Sequence, residues 1–535
     1  MPLLVFSGIR LAFAIVLMLA VLPLRLVAQF EYTTNNGQSI ITQYTGGGGA
    51  VVIPATNNDL PVTEIGPNAF VLDGSGVTSI TIPNSIVSID TAAFEDCYSL
   101  QQVSIPNSVI NLGSFAFYVC TSLASVTIGT NVSIIGAEAF QGCISLKSLT
   151  ISDGVGGIGD NAFENCFSLA GVSIPASVTY MGQSPFNGCT ELTAITVDAQ
   201  NPAYSSAGGV LFNSSQTTLV EYPGGIKGNY AVPSGVTAIG AFGFAGATNV
   251  SVVFATNGLN SIGSNAFINC SGLVNVILTD MITNLGVGAF VDCVNLTNVT
   301  LGNTAITSIQ DQLFENCSLL RGVTIPGTVT NIGNDAFLDC NDLINIVIPN
   351  SVTSIGGGAF SFTGLTNLVI PDSVTSIGSD AFYFDYGLTN ITIGDGVTTL
   401  GSHAFWLCPR VNGFYFAGNA PIIDSTVFTG DSGTVYYLPE TTGWQAFNTN
   451  SGLAPAVLWN PQAETGGASF GVKSNQFGFN IIGTTNIPFI IQANTNLANP
   501  DWVSLEACTL TNGSIYFSDR QWTNYPSRFY RLAAP

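Results

Sequence analysis

At 535 residues the chain is long enough for several globular domains, yet only 8% of its residues are charged while 46% are hydrophobic. That balance excludes disorder, which requires low hydrophobicity and high charge. Acid dominates, with 32 Asp and Glu against 10 Lys and Arg for a net charge of −22, so phosphate backbones and anionic membranes are repelled and nucleic-acid binding is excluded as a function.

The N-terminus reads as an export signal over residues 1–28. Arg10 precedes an apolar run from Leu11 to Leu24, and Leu-Val-Ala before Gln29 supplies a cleavage point after Ala28. The run is short for a bilayer span of about 20 residues; an uncleaved anchor is the alternative, given Arg25 beside the cleavage region. Later apolar stretches are broken by Gly and Pro, so no integral span is expected after signal removal, and the protein is expected outside the cell or on its surface.

From residue 30 to 408 the chain repeats with a period of about 23 residues, which marks a solenoid. Phenylalanine forms one column: Phe70, Phe94, Phe117, Phe140, Phe163, Phe186, then Phe244, Phe267, Phe290, Phe314, Phe337, Phe360, Phe382 and Phe405. Each unit starts with a half-buried strand such as Leu100-x-x-Val103-x-Ile105, where apolar and polar residues alternate. Pro106, Pro175, Pro326, Pro349 and Pro371 end strands where no N–H need be donated. A second apolar pair follows (Val329 and Ile332, Val352 and Ile355), then a Gly that turns a corner. Ala-Phe comes next and reads as a single helical turn. It is closed by Asp96, Gly142, Asn165, Gly188, Asn269, Asp292, Asn316 or Asp339, types that tolerate a left-handed backbone. A single coil cannot stabilise itself, so stability must come from stacking.

Most of the eleven cysteines fall in one column, as in Cys97, Cys120, Cys143, Cys166 and Cys189. Coils rising by about 4.8 Å leave parallel Cβ atoms too far apart and misdirected for a disulfide. Buried free thiols acting as small hydrophobes are expected. Metal binding is not expected, because zinc needs convergent ligands and the sole histidine, His403, stands in a turn.

The string Ile348-Pro349-x-Ser-Val352-Thr-x-Ile355-Gly356-x-x-Ala359-Phe360 closely resembles the BspA-type bacterial leucine-rich repeat. Asp73, Ala247, Thr363 and Asp385 depart from it in the Cys column. The resemblance implies a leucine-rich repeat solenoid with a β-strand plus a short turn or helix per coil. It also implies an exported or surface protein, sometimes an adhesin for host proteins.

The array breaks between Phe186 and Phe244. Residues 197–230 read as a strand-rich, hairpin-like insert, structural rather than ligand-binding. The first coil, from Phe30 to Ile53, reads as an N-terminal cap, and residues 409–460 as an aromatic-rich C-terminal cap. Residues 461–468 read as a linker. Residues 469–535 hold five or six short strands and read as a small β-sandwich-like module.

An enzyme needs convergent acid, base or nucleophile groups. One histidine and no phosphate loop leave little to build from, so the chain is read as non-catalytic, with glycan-active chemistry the remote alternative. No cofactor or metal is expected. Asn275, Asn298, Asn345, Asn367 and Asn390, with Thr300 and Thr324, occupy outward strand positions. They are expected to line the concave face, where solenoids bind partners. Asn amides both donate and accept, so an extracellular protein or glycan is the expected partner. A polar strip that only keeps the face soluble, in a spacer carrying the C-terminal module, is the competing reading.

Overall fold

The computed structural model describes residues 29–71, 76–255, 257–301, 306–498 and 501–535. The export signal and Asp73 lie outside the described residues. The described chain is a stack of coils with very little helix, followed by antiparallel sheets.

Each coil has three sides. The first carries the longer strand of the Leu-x-x-Val-x-Ile stretch, paired in parallel with the equivalent strand of the next coil. Val103, Val126 and Leu149 stand in register, as do Val253, Val276, Val299 and Val323. The second carries a two-residue strand before the corner glycine, as in Ser88–Ile89, Asn111–Leu112 and Ile134–Ile135, also paired in parallel from coil to coil. A Cβ on Gly113 would stand 2.6 Å from the Asp90 carbonyl carbon, so only glycine lets successive corners approach this closely.

The third side is the Ala-Phe turn, which forms no α-helix. Alternate N–H groups donate to the next coil instead: Ala92 to the Ser114 carbonyl at 2.9 Å, Phe94 to Ala116 at 2.8 Å and Asp96 to Tyr118 at 2.9 Å. Reaching these acceptors requires a left-handed residue on both sides of the phenylalanine. The column after it (Asp96, Asn165, Asn269, Asp292, Asn316, Asp339) has positive φ as expected. A second column, two residues before it, also does; it holds Asn161, Asn265, Asp335 and Asp380 but also Ala92, Phe115, Glu138 and Phe242, with His403. Alanine, phenylalanine and glutamate carry no local preference for that region; at those positions the coil-to-coil hydrogen bonds impose it.

Inside, the phenylalanine rings stack along the axis. Phe117 and Phe140 lie 5.1 Å apart and within 2° of parallel, and Phe140 and Phe163 lie 5.3 Å apart. All eleven cysteines are free, ten of them buried. Nine of the ten column thiols donate to a carbonyl of an earlier coil: Cys120 Sγ to Phe94 at 3.2 Å, Cys143 to Phe117 at 3.3 Å and Cys293 to Phe267 at 3.1 Å, for example. Burial pushes the Cys143 thiol up to about 12. The column is therefore a ladder of satisfied donors, inert as nucleophiles.

The insert divides the core. One apolar cluster runs from Phe30 to Leu211, and a second starts at Val210 and Phe212 and continues to Phe447. Between them Tyr204–Ala207, Val210–Asn213 and Thr218–Glu221 form antiparallel strands, and the last returns to parallel pairing with Ala238–Ile239. Tyr222 takes the phenylalanine's place, stacked 4.6 Å from Phe244. At this break Phe186 donates its N–H to Glu221 Oε1 at 3.0 Å. A buried carboxylate thus stands in for the missing coil, and its other oxygen has no partner.

Past residue 408 the coil pattern continues. Gly413–Phe416 and Thr434–Tyr437 extend the long-strand sheet in parallel register, with Val457–Leu458 beyond them. Phe428 continues the ring column 6.0 Å from Phe405. The short helix Trp444–Asn450 buries Trp444 and Phe447 over the last coil. Within the stretch read as a linker, Gln462–Ala463 forms a strand paired with Gln476–Ile482. The C-terminal module has two antiparallel sheets. Gln476–Ile482 pairs with Ser514–Asp519 in one, and Pro488–Asn494 pairs with Val503–Thr509 and Phe529–Ala533 in the other. Phe479, Ile481, Phe489, Ile491 and Phe517 fill the space between them.

Candidate functional site

The outward residues of the long strands form two parallel rows. The first contains the predicted asparagines. Asn275, Asn298 and Gly322 are in register, and so are Asn367, Asn390 and Gly413. Asn298 and Asn367 are exposed and Asn275 and Asn390 half-buried. Asn298 Nδ2 donates to Asn275 Oδ1 at 3.1 Å and to Thr297 Oγ1 at 3.1 Å. Thr389 Oγ1 donates to Asn367 Oδ1 at 3.2 Å. These amides therefore spend part of their hydrogen-bonding capacity on each other and on neighbouring threonines, and the rest faces solvent.

Asn345 does not join either run. It is exposed, but the sheet ends at Gly322–Val323 and resumes at Asn367–Ile370, so the segment between them has no strand pairing. Thr300 stands in register with Ile277 in the second row, and Thr324, also exposed, follows its strand directly.

That second row carries a feature the sequence reading passed over. In the N-terminal half it is hydroxylic: Ser104, Thr127 and Thr150 in one run, Ser173 and Thr196 in another. In the C-terminal half exposed apolar residues enter the row among its threonines. Phe254 and Ile277 are in register, with Ile277 44% exposed; Val347 is 80% and Val369 64% exposed. Val369 then leads in register to Thr392, Tyr415 and Tyr436. There the C-terminal module covers the face: Tyr415 and Tyr436 stack 4.9 Å apart and are buried with the module's Phe479 and Ile487. Trp459 Nε1 donates to the Pro488 carbonyl at 2.8 Å. A cleft of about 150 Å³ remains there, lined by Thr392, Tyr415, Tyr436, Trp459 and Ala534. The signal was available in the sequence as the residue two after each Asn of the row.

Charge is segregated away from this face. None of the outward positions just named is charged. Carboxylates gather instead on the turn side. Glu315 is held above the usual range by burial and then by Asp335 and Asp292. Asp335 is raised by burial and then by Asp311 and Asp380. His403 also belongs to this side, at φ 59° beside the Trp406 ring, with Nδ1 3.6 Å from Asp380 Oδ1.

Fold and face together define a parallel β-solenoid of the leucine-rich repeat class. Residues 63–193, 113–229, 228–343 and 307–435 match the BspA type leucine-rich repeat region, and the chain belongs to that family. Among solved structures, a leucine-rich repeat protein from Eubacterium ventriosum is 24% identical with a TM-score of 0.55, over 71% of this chain and 92% of that one. A leucine-rich cell surface protein from Faecalibacterium prausnitzii is 25% identical with a TM-score of 0.45, over 76% and 97%. A leucine-rich repeat protein from Bacteroides ovatus is 23% identical with a TM-score of 0.40, over 73% and 93%. No curated protein matches. Among the described residues no helix is long and apolar enough to cross a membrane.

Proposed function

We propose that this chain is an exported, surface-associated, non-catalytic binding protein that holds an extracellular protein or glycan on the outward face of its long-strand sheet. The observation that carries the reading is the division of the surface. The turn side concentrates carboxylates, while the strand face is neutral, with asparagines beside exposed apolar side chains. Desolvating such a face on contact costs little, since charges are the groups most expensive to bury. Exposed apolar surface beside hydrogen-bonding groups is the common composition of a contact surface. Export rests on the N-terminal sequence.

The test is attachment of the full chain to protein and glycan arrays, compared with the variant carrying Asn298→Ala, Asn345→Ala and Asn367→Ala together. Weaker attachment at unchanged melting temperature supports the face as the site. Attachment equal to that of the parent removes it.

A further inference from the structure

The C-terminal module has a groove of about 490 Å³ that neither its own sheets nor the solenoid fills. One wall is the strand Phe529–Ala533, which among the described residues pairs only with Pro488–Asn494. Five consecutive positions, 528–532, line the groove, so the strand presents its backbone there and not one face of its side chains. The opposite wall carries Pro461, Ala463, Thr465 and Phe470, beside the short strands Gln462–Ala463 and Gly471–Lys473. These flank the two ends of Gln476–Ile482 and, among the described residues, have no strand on their other side. Phe477 and Tyr530 stack 5.4 Å apart across the groove, Phe479 is buried at its floor, and Phe470 is 41% exposed at the rim.

The free edge of Phe529–Ala533 beside an apolar floor leaves room for a further strand on that sheet. An unpaired edge presents N–H and C=O groups at a fixed spacing, and another extended backbone is the ligand that satisfies them. Alternate side chains of such a strand point the same way, so alternate apolar residues would meet the aromatic floor. Charge narrows the occupant further. Arg528 and Arg531 are the charged residues of the lining. Arg528 is neutralised by Asp519, with Nε 2.9 Å from Oδ2. Arg531 lies over the Trp502 ring and donates to the neutral Gln492 Oε1 at 2.7 Å, and no ion pair among the described residues neutralises it.

We infer that the C-terminal module is a second binding site, which takes up an extended segment of a partner protein carrying alternate apolar side chains and a carboxylate that meets Arg531. It is independent of the solenoid face proposed above, and either site can fail without the other.

The probe is a fluorescein-labelled peptide of alternating valine and glutamate, about ten residues long as suits a strand, titrated with the full chain and read by anisotropy. Saturable binding is expected, stronger than for the valine–lysine peptide and lost when the backbone amides are N-methylated. Phe470→Asp should weaken it by at least about tenfold without moving the melting temperature. Should that variant melt early, Arg531→Gln decides: it should abolish the preference for glutamate over lysine. Equal binding of the N-methylated and parent peptides would overturn the inference, as would absence of binding at about millimolar peptide, where even a weak edge contact is populated.

Discussion

Replacing Glu221 by Gln separates the electrostatic cost of the array's interruption from its geometry. The Glu221 carboxyl accepts the Phe186 N–H at 3.0 Å, and burial raises it from its ordinary 4.5 to about 8. Below the unfolded value both states hold the proton and the group is neutral to stability. Between the two values the unfolded chain releases a proton that the folded chain keeps, so stability is lost as pH rises and is fully lost above the folded value. At pH 7 the gap from the unfolded value is roughly 2.5 pH units at about 1.36 kcal/mol each, or about 3 kcal/mol. Glutamine keeps an acceptor for Phe186 and carries no charge. It leaves an unpartnered N–H where the protonated acid leaves an unpartnered O–H, so at low pH the two proteins should match. Urea unfolding followed by circular dichroism at pH 4.5, 6 and 7 gives the comparison. The difference between Glu221→Gln and parent should grow from near zero to about 3 kcal/mol in the variant's favour. Buried Asp385 and half-buried Asp431 are raised in both proteins and cancel. Parallel curves would show that Glu221 does not titrate between the two values and would refute the reasoning.

Phe290→Ala opens the ring column between neighbours at 5.1 and 5.5 Å and should cost about 3–5 kcal/mol in the same unfolding assay. The column thiols should resist a thiol reagent in the native protein and react in denaturant. Because burial raises the Cys143 thiol to about 12, thermal stability should also fall as pH rises above about 9, where unfolded thiols ionise and folded ones do not. His403, at φ 59°, should tolerate Gly with little change, whereas His403→Val should lower stability by about 1–2 kcal/mol, measured by differential scanning calorimetry.

Much of the architecture was legible because stacking makes each coil solve the same packing problem. The core columns at Phe117, Phe140 and Phe163 recur at the period that fixes the fold. The glycine, asparagine and aspartate positions after them announce a left-handed turn through residue type. The left-handed column before them is announced by residue type only in some coils, as at Asn161, Asn265 and Asp335. Ala92, Phe115, Glu138 and His403 adopt that backbone because the next coil supplies an acceptor, which no single coil encodes. Glu221 was equally hidden. In the sequence it is one acid in a hairpin, and only assembly buries it where a coil is missing.

The sequence alone determined that this is an acidic repeat array with an apolar interior, because period, composition and net charge are properties of the chain before it folds. The tertiary structure decided how its surface is divided. It placed the carboxylates on the turn side and aligned Phe254 with Ile277 and Val369 with Tyr415 on the strand face. It also set the C-terminal module over the end of that row while leaving a groove between the module's own sheets. These arrangements follow from register and docking between residues distant in sequence, and such contacts exist only once the coils have stacked.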